Sequence, residues 1–162
     1  MKGLSGKEMK IVSSLELEGK RFFKKSDIKK FFKTKNELNV YIHKLKQKKR
    51  IVKINKDKYY LIPIQAFEGK WTEHPFIIID EIFNGKHYYI GGKAAAHYWG
   101  LIDQIPREID VYSTKRQGKK EILGIKICFK RIRKENMLKS VKRKIKAHPF
   151  IIATKLASKK WS

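Results

Sequence analysis

The chain has 162 residues, of which 41% are apolar, so it can bury the core of one modest domain or two small ones and is not a disordered chain. Its 40 lysine and arginine residues outnumber its 15 aspartate and glutamate residues, which gives a formal charge of +25. Proteins of hot environments are enriched in glutamate as well as lysine. The excess of basic over acidic residues in this chain therefore indicates a polyanionic partner rather than thermophily.

Both halves of the chain carry this charge. Residues 1–68 hold 19 basic and 7 acidic side chains, a net +12, and residues 69–162 hold 21 and 8, a net +13. Cys128 is the only cysteine, which excludes an internal disulfide and fits a reducing cytoplasm. No apolar leader follows Met1, and the apolar run at 76–79 is too short to span a bilayer. We therefore expect a cytoplasmic protein with no membrane contact.

Two helices are predicted before residue 33. Ser5 and Glu8 have the S-x-x-E spacing of a capping box, so the first helix should begin directly after Ser5 and end at Gly19. Residues 21–23 read as a short extended segment. Ser26 is the expected cap of the second helix, because serine at this position accepts a hydrogen bond from a free backbone N–H.

A third helix is predicted from the second capping-box spacing, Thr34 and Glu37, and should run to about Lys49. Apolar residues recur on one face at helical spacing: Leu38, Tyr41, Ile42 and Leu45. The opposite face is mostly polar: Asn36, Val40, His43 and Gln47, flanked by Lys35, Asn39, Lys44 and Lys46. Because the link to the preceding helix is so short, the pair predicts a helix-turn-helix.

A basic hairpin follows, with β-branched or aromatic runs at 50–54 and 59–62 joined by Asn-Lys-Asp-Lys. Three helices and such a hairpin are typical of a winged helix whose third helix enters a DNA major groove. The predicted DNA-binding residues are Lys35, Asn36, Asn39, Val40, His43, Lys44, Lys46, Gln47, Lys53, Lys56 and Lys58. Winged helices also mediate protein contacts, and a lysine-rich face is often merely solvated.

The second half alternates predicted helices and strands, which favours an α+β fold. The expected elements are a helix from Thr72 to Phe83, a strand at 87–90, a helix at 93–99, a strand at 108–113, a basic turn at 114–120, an alternating segment at 121–132 and a last strand at 149–154. We place the domain boundary between residues 68 and 69.

Two features of this half are typical of a nucleotidyltransferase site. The glycine pair Gly91-Gly92 follows a strand and precedes a helix, and Glu108 and Asp110 share one face of the next strand. Two-metal phosphoryl transfer usually needs a third acid on a neighbouring strand, and none is evident. We therefore interpret the carboxylates as a surface ion pair and the glycines as a corner, and we predict no catalytic residue, metal or cofactor.

The segment at 88–116 also resembles a known family. The matching residues are Tyr89, Ile90, Ala95, Ala96, His97, Tyr98, Gly100, Leu101, Ile102, Pro106, Ser113, Thr114, Lys115 and Arg116. This pattern is similar to that of the AbiEi antitoxins and related transcriptional regulators of type IV, abortive-infection toxin–antitoxin systems. The similarity extends to about residue 133, and the chain departs from the family at Gly91-Gly92, where a serine-led turn is usual.

The resemblance implies a winged helix-turn-helix followed by a small mixed α/β antitoxin-type domain. It implies a regulator that binds double-stranded operator DNA, represses its own operon and antagonises a nucleotidyltransferase-like toxin. In the second domain the predicted basic surface is Lys115, Arg116, Lys119 and Lys120. A small nucleotidyltransferase-like enzyme using Glu108 and Asp110, or an RNA-binding module, are the alternatives. The sequence does not determine the oligomeric state, and a monomer that binds repeated sites is one of the alternatives.

Overall fold

The computed structural model describes residues 3–66 and 71–162, in which it shows a mixed α+β protein with six α-helices and two β-sheets. The helices are α1 Gly6–Leu17, α2 Lys25–Ile28, α3 Lys35–Gln47, α4 Pro75–Phe83, α5 Gly92–Tyr98 and α6 Lys155–Ser158. The strands are β1 Phe22–Lys24, β2 Ile51–Lys53, β3 Lys58–Leu61, β4 Tyr88–Gly91, β5 Ile109–Ser113, β6 Gly118–Ile122, β7 Ile125–Arg131, β8 Ser140–Ile145 and β9 His148–Ala153.

The chain divides into two compact units, Met1–Thr72 and Glu73–Ser162. The predicted boundary between residues 68 and 69 lies outside the described residues. In the described part of the chain, every helix is too short or too polar to cross a bilayer.

The first unit begins with the capping box that the sequence predicts. The Ser5 side chain accepts from the Glu8 N–H, and the Glu8 carboxylate accepts from the Ser5 N–H at 2.6 Å. The apolar face of α1 is buried with residues from α2, α3 and the first sheet. The helix ends before Gly19, whose φ of +64° is the left-handed conformation that glycine adopts without strain.

The second helix begins differently from the prediction. Ser26 lies inside α2, and the N-terminal position is Lys24, whose N–H donates to the Asp27 carboxylate at 2.7 Å. This helix has four residues and continues as one 3-10 turn, Lys29–Phe31. The third helix starts as predicted, with Thr34 accepting from the Glu37 N–H, but ends two residues before Lys49.

A three-stranded antiparallel sheet in the order β1-β3-β2 completes the first unit. The predicted hairpin is therefore present as β2 and β3. The Asn55 side chain closes its turn by accepting from the N–H groups of Asp57 and Lys58, each at 3.0 Å. The short strand β1 pairs with the other edge of β3 and so brings residues 22–24 beside the hairpin.

The second unit is built on a six-stranded sheet in the order β6-β7-β5-β4-β9-β8. The central strand β4 is antiparallel to β5 and parallel to β9, and β5 is parallel to β7. Helix α4 packs on β9, where the Phe76 and Phe150 rings lie 5.1 Å apart. The Asn84 backbone ends α4 in a left-handed conformation, as the Asn-Gly sequence predicts.

Several predictions for the second unit were wrong. The helix predicted to start at Thr72 begins at Pro75, and its cap is His74, whose Nδ1 accepts from the Phe76 N–H at 3.2 Å. The predicted basic turn at 114–120 contains the start of β6, and the segment at 121–132 contains a turn at Leu123-Gly124 between two strands. The strand β8 and the helix α6 were not predicted.

Candidate nucleic-acid interface

Helix α3 buries one face and exposes the other. Leu38, Ile42 and Leu45 lie in the core of the first unit, because they recur at three- and four-residue spacing. The exposed residues are those that the sequence predicts to bind DNA: Lys35, Asn36, Asn39, Val40, His43, Lys44, Lys46 and Gln47. Val40 is 50% exposed, so an apolar side chain stands amid the polar ones and could contact a thymine methyl group.

One residue of this face already has a partner. The Oδ1 of Asn39 accepts from the Nζ of Lys25, on α2, at 2.7 Å. Lys44 lies over the Tyr41 ring, with its Nζ 5.0 Å from the ring centroid. The sequence analysis did not include Lys25, because its position relative to Asn39 follows only from the packing of α2 on α3.

The hairpin presents Lys53 and Lys56 to solvent and holds Lys58 half-buried. Lys24 is the register partner of Lys58 in the β1–β3 pair. Lys24 therefore adds a basic side chain beside the hairpin. Lys24 was also missing from the predicted site, since a three-residue strand gives no sequence signal of its pairing register.

Several acidic side chains of the first unit pair with lysines outside the predicted DNA-binding set. Lys48 pairs with Glu8, and Lys7 pairs with Glu37. Hydrogen bonds from Lys30 and Lys20 lower the pKa of Glu18 to about 2, so it stays ionised. Among the described residues, no acidic side chain pairs with any of five predicted DNA-binding lysines: Lys35, Lys44, Lys46, Lys53 and Lys56.

The predicted basic surface of the second unit is partly neutralised. The Nζ of Lys119 lies 3.0 Å from a Glu108 oxygen, and the Arg116 guanidinium lies over the Phe129 ring at 4.9 Å. Lys115 is exposed and Lys120 is half-buried. These four residues therefore provide less free positive charge than their sequence suggests.

The glycine pair forms a tightly packed corner between β4 and α5. Gly92 has a φ of +63°, and a Cβ added to it would lie 2.3 Å from a carboxylate oxygen of Asp110. A Cβ on Gly91 would lie 2.7 Å from the Tyr112 ring and 2.9 Å from the Trp161 ring. Only glycine fits at either position, because the backbone approaches the acidic strand directly.

Both carboxylates of this strand are held by lysines. Asp110 pairs with Lys130 at 2.9 Å, and Glu108 pairs with Lys119. The hydrogen bond from Lys119 keeps the pKa of Glu108 below its usual range. The predicted ion pairing of these acids is therefore present, but its partners come from β6 and β7 rather than from the nearby Arg107, Lys115 and Arg116.

A thiol occupies the neighbouring strand. The parallel register of β5 and β7 places Cys128 opposite Asp110, and the ligand atoms of Glu108, Asp110 and Cys128 lie within 4.8 Å of one another. Burial, followed by the hydrogen bond to Glu108, raises the pKa of Cys128, which disfavours the thiolate. The sequence gives no sign of this cluster, because Cys128 has no second thiol in the chain and no histidine close to it in sequence.

The structure brings together a second group with metal-ligand chemistry, Asp80, Glu81 and His148. Sequence spacing could not find it, since His148 lies on a distant strand.

Comparison with known proteins gave no assignment: no family model matches the chain, and no curated protein matches it.

Proposed function

We propose that the chain is a DNA-binding transcriptional regulator, with residues 5–62 forming a winged helix-turn-helix. One observation carries the proposal: α3 turns a polar, unburied face to solvent, and five lysines of this helix and the hairpin have no acidic partner among the described residues, namely Lys35, Lys44, Lys46, Lys53 and Lys56. Amide side chains on a groove-sized helix suit adenine edges, and lysines suit phosphates or guanine. The net charge of +25 supports a polyanionic partner.

Within this proposal the helix and the hairpin do different work. Asn36, His43 and Gln47 contact base edges, and Lys53 and Lys56 contact the phosphate backbone. The resemblance to AbiEi antitoxins adds that the operator belongs to the chain's own operon and that the cytoplasmic partner is a nucleotidyltransferase-like toxin. We assign the antagonism of this toxin to the α/β unit.

A salt titration of operator and scrambled duplexes tests the proposal. Asn36→Ala and Gln47→Ala should each cost about 1–3 kcal/mol on the operator and little on the scrambled duplex. Lys56→Ala should weaken both equally and reduce the slope of log affinity against log salt by about one unit. Lys10→Ala, on the exposed side of α1, is the control and should change neither.

Two results would contradict this assignment. If none of the α3 and hairpin substitutions changes binding, the first unit does not contact DNA. If a structured RNA of equal length competes as well as the operator at near-physiological salt, the RNA-binding alternative replaces the DNA-binding one.

A second candidate is the nucleotidyltransferase-like enzyme. The observation that favours it is the glycine corner lying against Asp110, whose carboxylate lies within 4.8 Å of the ligand atoms of Glu108 and Cys128. The lysines on both carboxylates weigh against it, because two-metal transfer needs those oxygens for cations.

A further inference from the structure

The second unit brings two carboxylates and an imidazole to one point. Asp80 and Glu81 lie near the end of α4, and His148 is the first residue of β9. The His148 Nε2 lies 3.0 Å from Asp80 Oδ2 and 3.6 Å from Glu81 Oε1, and the three ligand atoms lie within 4.8 Å of one another. We propose that these residues bind a divalent transition-metal cation, zinc(II).

The spacing of the three atoms suits such an ion. Ligands about 2.1 Å from zinc in a tetrahedral arrangement lie about 3.4 Å from one another. The two distances from His148 fall on either side of that value, and the separation of the two carboxylates is at most 4.8 Å, so the three side chains can reach three corners of the tetrahedron. Water would take the fourth. One imidazole and two carboxylates are donors that zinc accepts, whereas magnesium prefers oxygen ligands alone.

The Asp80 carboxylate is held in the orientation that a ligand needs. Its Oδ1 accepts from the Tyr88 hydroxyl at 2.7 Å, and that hydroxyl accepts from the Ile151 N–H at 3.0 Å. These two hydrogen bonds hold Oδ1, while Oδ2 lies 3.0 Å from the His148 Nε2. Outer contacts of this kind fix the orientation of ligating carboxylates in metal sites and raise their affinity.

The charge around Asp80 also favours a cation. The residue is 6% exposed, and a buried carboxylate needs a compensating charge. Among the described residues, no lysine or arginine pairs with Asp80, although the chain has 40 of them. The side chains of Glu81 and His148 are 17% and 23% exposed, so the ion has a route from solvent.

A tight turn fixes His148 at this position. Lys146 and Ala147 connect β8 to β9 with φ of +48° and +64°, and Ile145 pairs with His148 across the turn. Two-residue turns of this shape normally use asparagine and glycine, because other residues adopt left-handed conformations at a cost. The turn sets the register, and a slip of one residue would move His148 to the other face of the sheet.

Calorimetric titration of the untagged full chain with zinc chloride tests the proposal. The parent should bind one zinc ion per chain at this site. His148→Gln and Glu81→Gln should each weaken that binding at least tenfold, and Tyr88→Phe about tenfold through its effect on Asp80. His87→Gln is the control, since His87 is exposed in the same unit and outside the cluster. The His87→Gln variant should bind zinc with the same affinity as the parent.

Cobalt(II) provides a second measurement that needs no variant. Bound at this site, it should give the visible absorption of a tetrahedral complex and shift the NMR signals of the His148 ring. Absence of zinc binding by the parent would overturn the proposal and leave a hydrogen-bonded Asp80–His148–Tyr88 network. Zinc binding that is unchanged in both His148→Gln and Glu81→Gln, or cobalt shifts confined to other histidines, would overturn it equally. Neither measurement depends on DNA binding, so the proposed function can fail or succeed separately.

Discussion

The Nζ of Lys25 donates to the Oδ1 of Asn39 across 2.7 Å and so ties α2 to the exposed face of α3. A bidentate contact of asparagine with adenine uses both its oxygen and its nitrogen. Lys25 occupies one of the two acceptor positions of this oxygen and so restricts the orientations in which Asn39 can make that contact. Asn36, two residues before Leu38 on the same helix, has no such restraint among the described residues.

This difference predicts unequal roles for the two asparagines. Asn36→Ala should lower the preference for operator over scrambled duplex by about 1–3 kcal/mol, whereas Asn39→Ala should change it by less than about 0.5 kcal/mol. Fluorescence anisotropy with both duplexes at one salt concentration measures the preference. An equal loss in the two variants would show that Lys25 leaves Asn39 on binding.

The glycine corner predicts a large difference between two glycines of similar backbone conformation. Gly92→Ala should destabilise the protein by roughly 2–5 kcal/mol, because the left-handed conformation costs about 1–2 kcal/mol and the contact with Asp110 costs about 1–3 kcal/mol more. Gly100 has a φ of +67° with open space around its Cβ direction, so Gly100→Ala should cost only about 1–2 kcal/mol. Urea unfolding measures both, and equal losses would mean that the corner relaxes around the methyl group.

The pair of Glu8 and Lys48 predicts a dependence of stability on pH. Burial alone would raise the pKa of Glu8, but hydrogen bonds from Lys48 and Ser5 bring it below the usual value of 4.5. A carboxyl whose pKa is lowered by folding contributes stability above its unfolded pKa, and that contribution is lost as the pH falls through the folded pKa. The parent should therefore lose stability below about pH 4.5, and Glu8→Gln should lose less over the same range while being less stable at pH 7.

Urea unfolding at pH 7 and at pH 3 measures this effect. Glu16→Gln is the control, because Glu16 is an exposed acid of the same helix whose side chain instead accepts from the Ile64 N–H at 2.9 Å. If Glu8→Gln and the parent lose equal free energy of unfolding between the two pH values, the lowered pKa of Glu8 contributes nothing to acid stability.

The lysine-paired carboxylates predict that the chain transfers no nucleotide. Incubation with labelled nucleoside triphosphates, Mg²⁺ or Mn²⁺, and DNA or RNA acceptors should give no product, since Lys119 and Lys130 occupy the oxygens that metal ions need. Product that disappears in Asp110→Ala would establish the enzyme alternative. Lys130→Met tests whether the lysine is what suppresses activity, because it removes the ammonium and keeps the bulk.

Local signals in the sequence predicted much of the secondary structure. The caps at Ser5 and Thr34 and the stop at Asn84 were correct, because each depends on residues within one turn of helix. The cap predicted at Ser26 was wrong, because the Asp27 carboxylate accepts from the free N–H of Lys24 from inside the helix. The strand β8 was missed because it lies at the sheet edge, where exposed lysines and Arg143 hide the alternation of apolar residues.

The sequence could predict the candidate site only where all of its residues lie on one helix or strand. The exposed face of α3 follows from helical periodicity, so the sequence predicted correctly which residues of this helix are exposed, while their contact with DNA stays a prediction. The partners Lys24 and Lys25 depend on strand register and helix packing, which the sequence does not encode locally. The same holds for Cys128 beside Asp110 and for His148 beside Asp80, because parallel pairing and a distant hairpin bring them together.

The parallel pairing of β4 with β9 has a consequence for how the chain folds during synthesis. The first sheet has all its strands once residue 61 has left the ribosome. Strand β4 is paired on both sides only after Ile152, the register partner of Ile90, has also been synthesised. Contacts so distant along the chain slow folding, and an unpaired apolar strand is prone to aggregation in the meantime. The first unit should therefore be folded while the buried tyrosines of β4 are still exposed, which makes the nascent second unit the part that needs a chaperone.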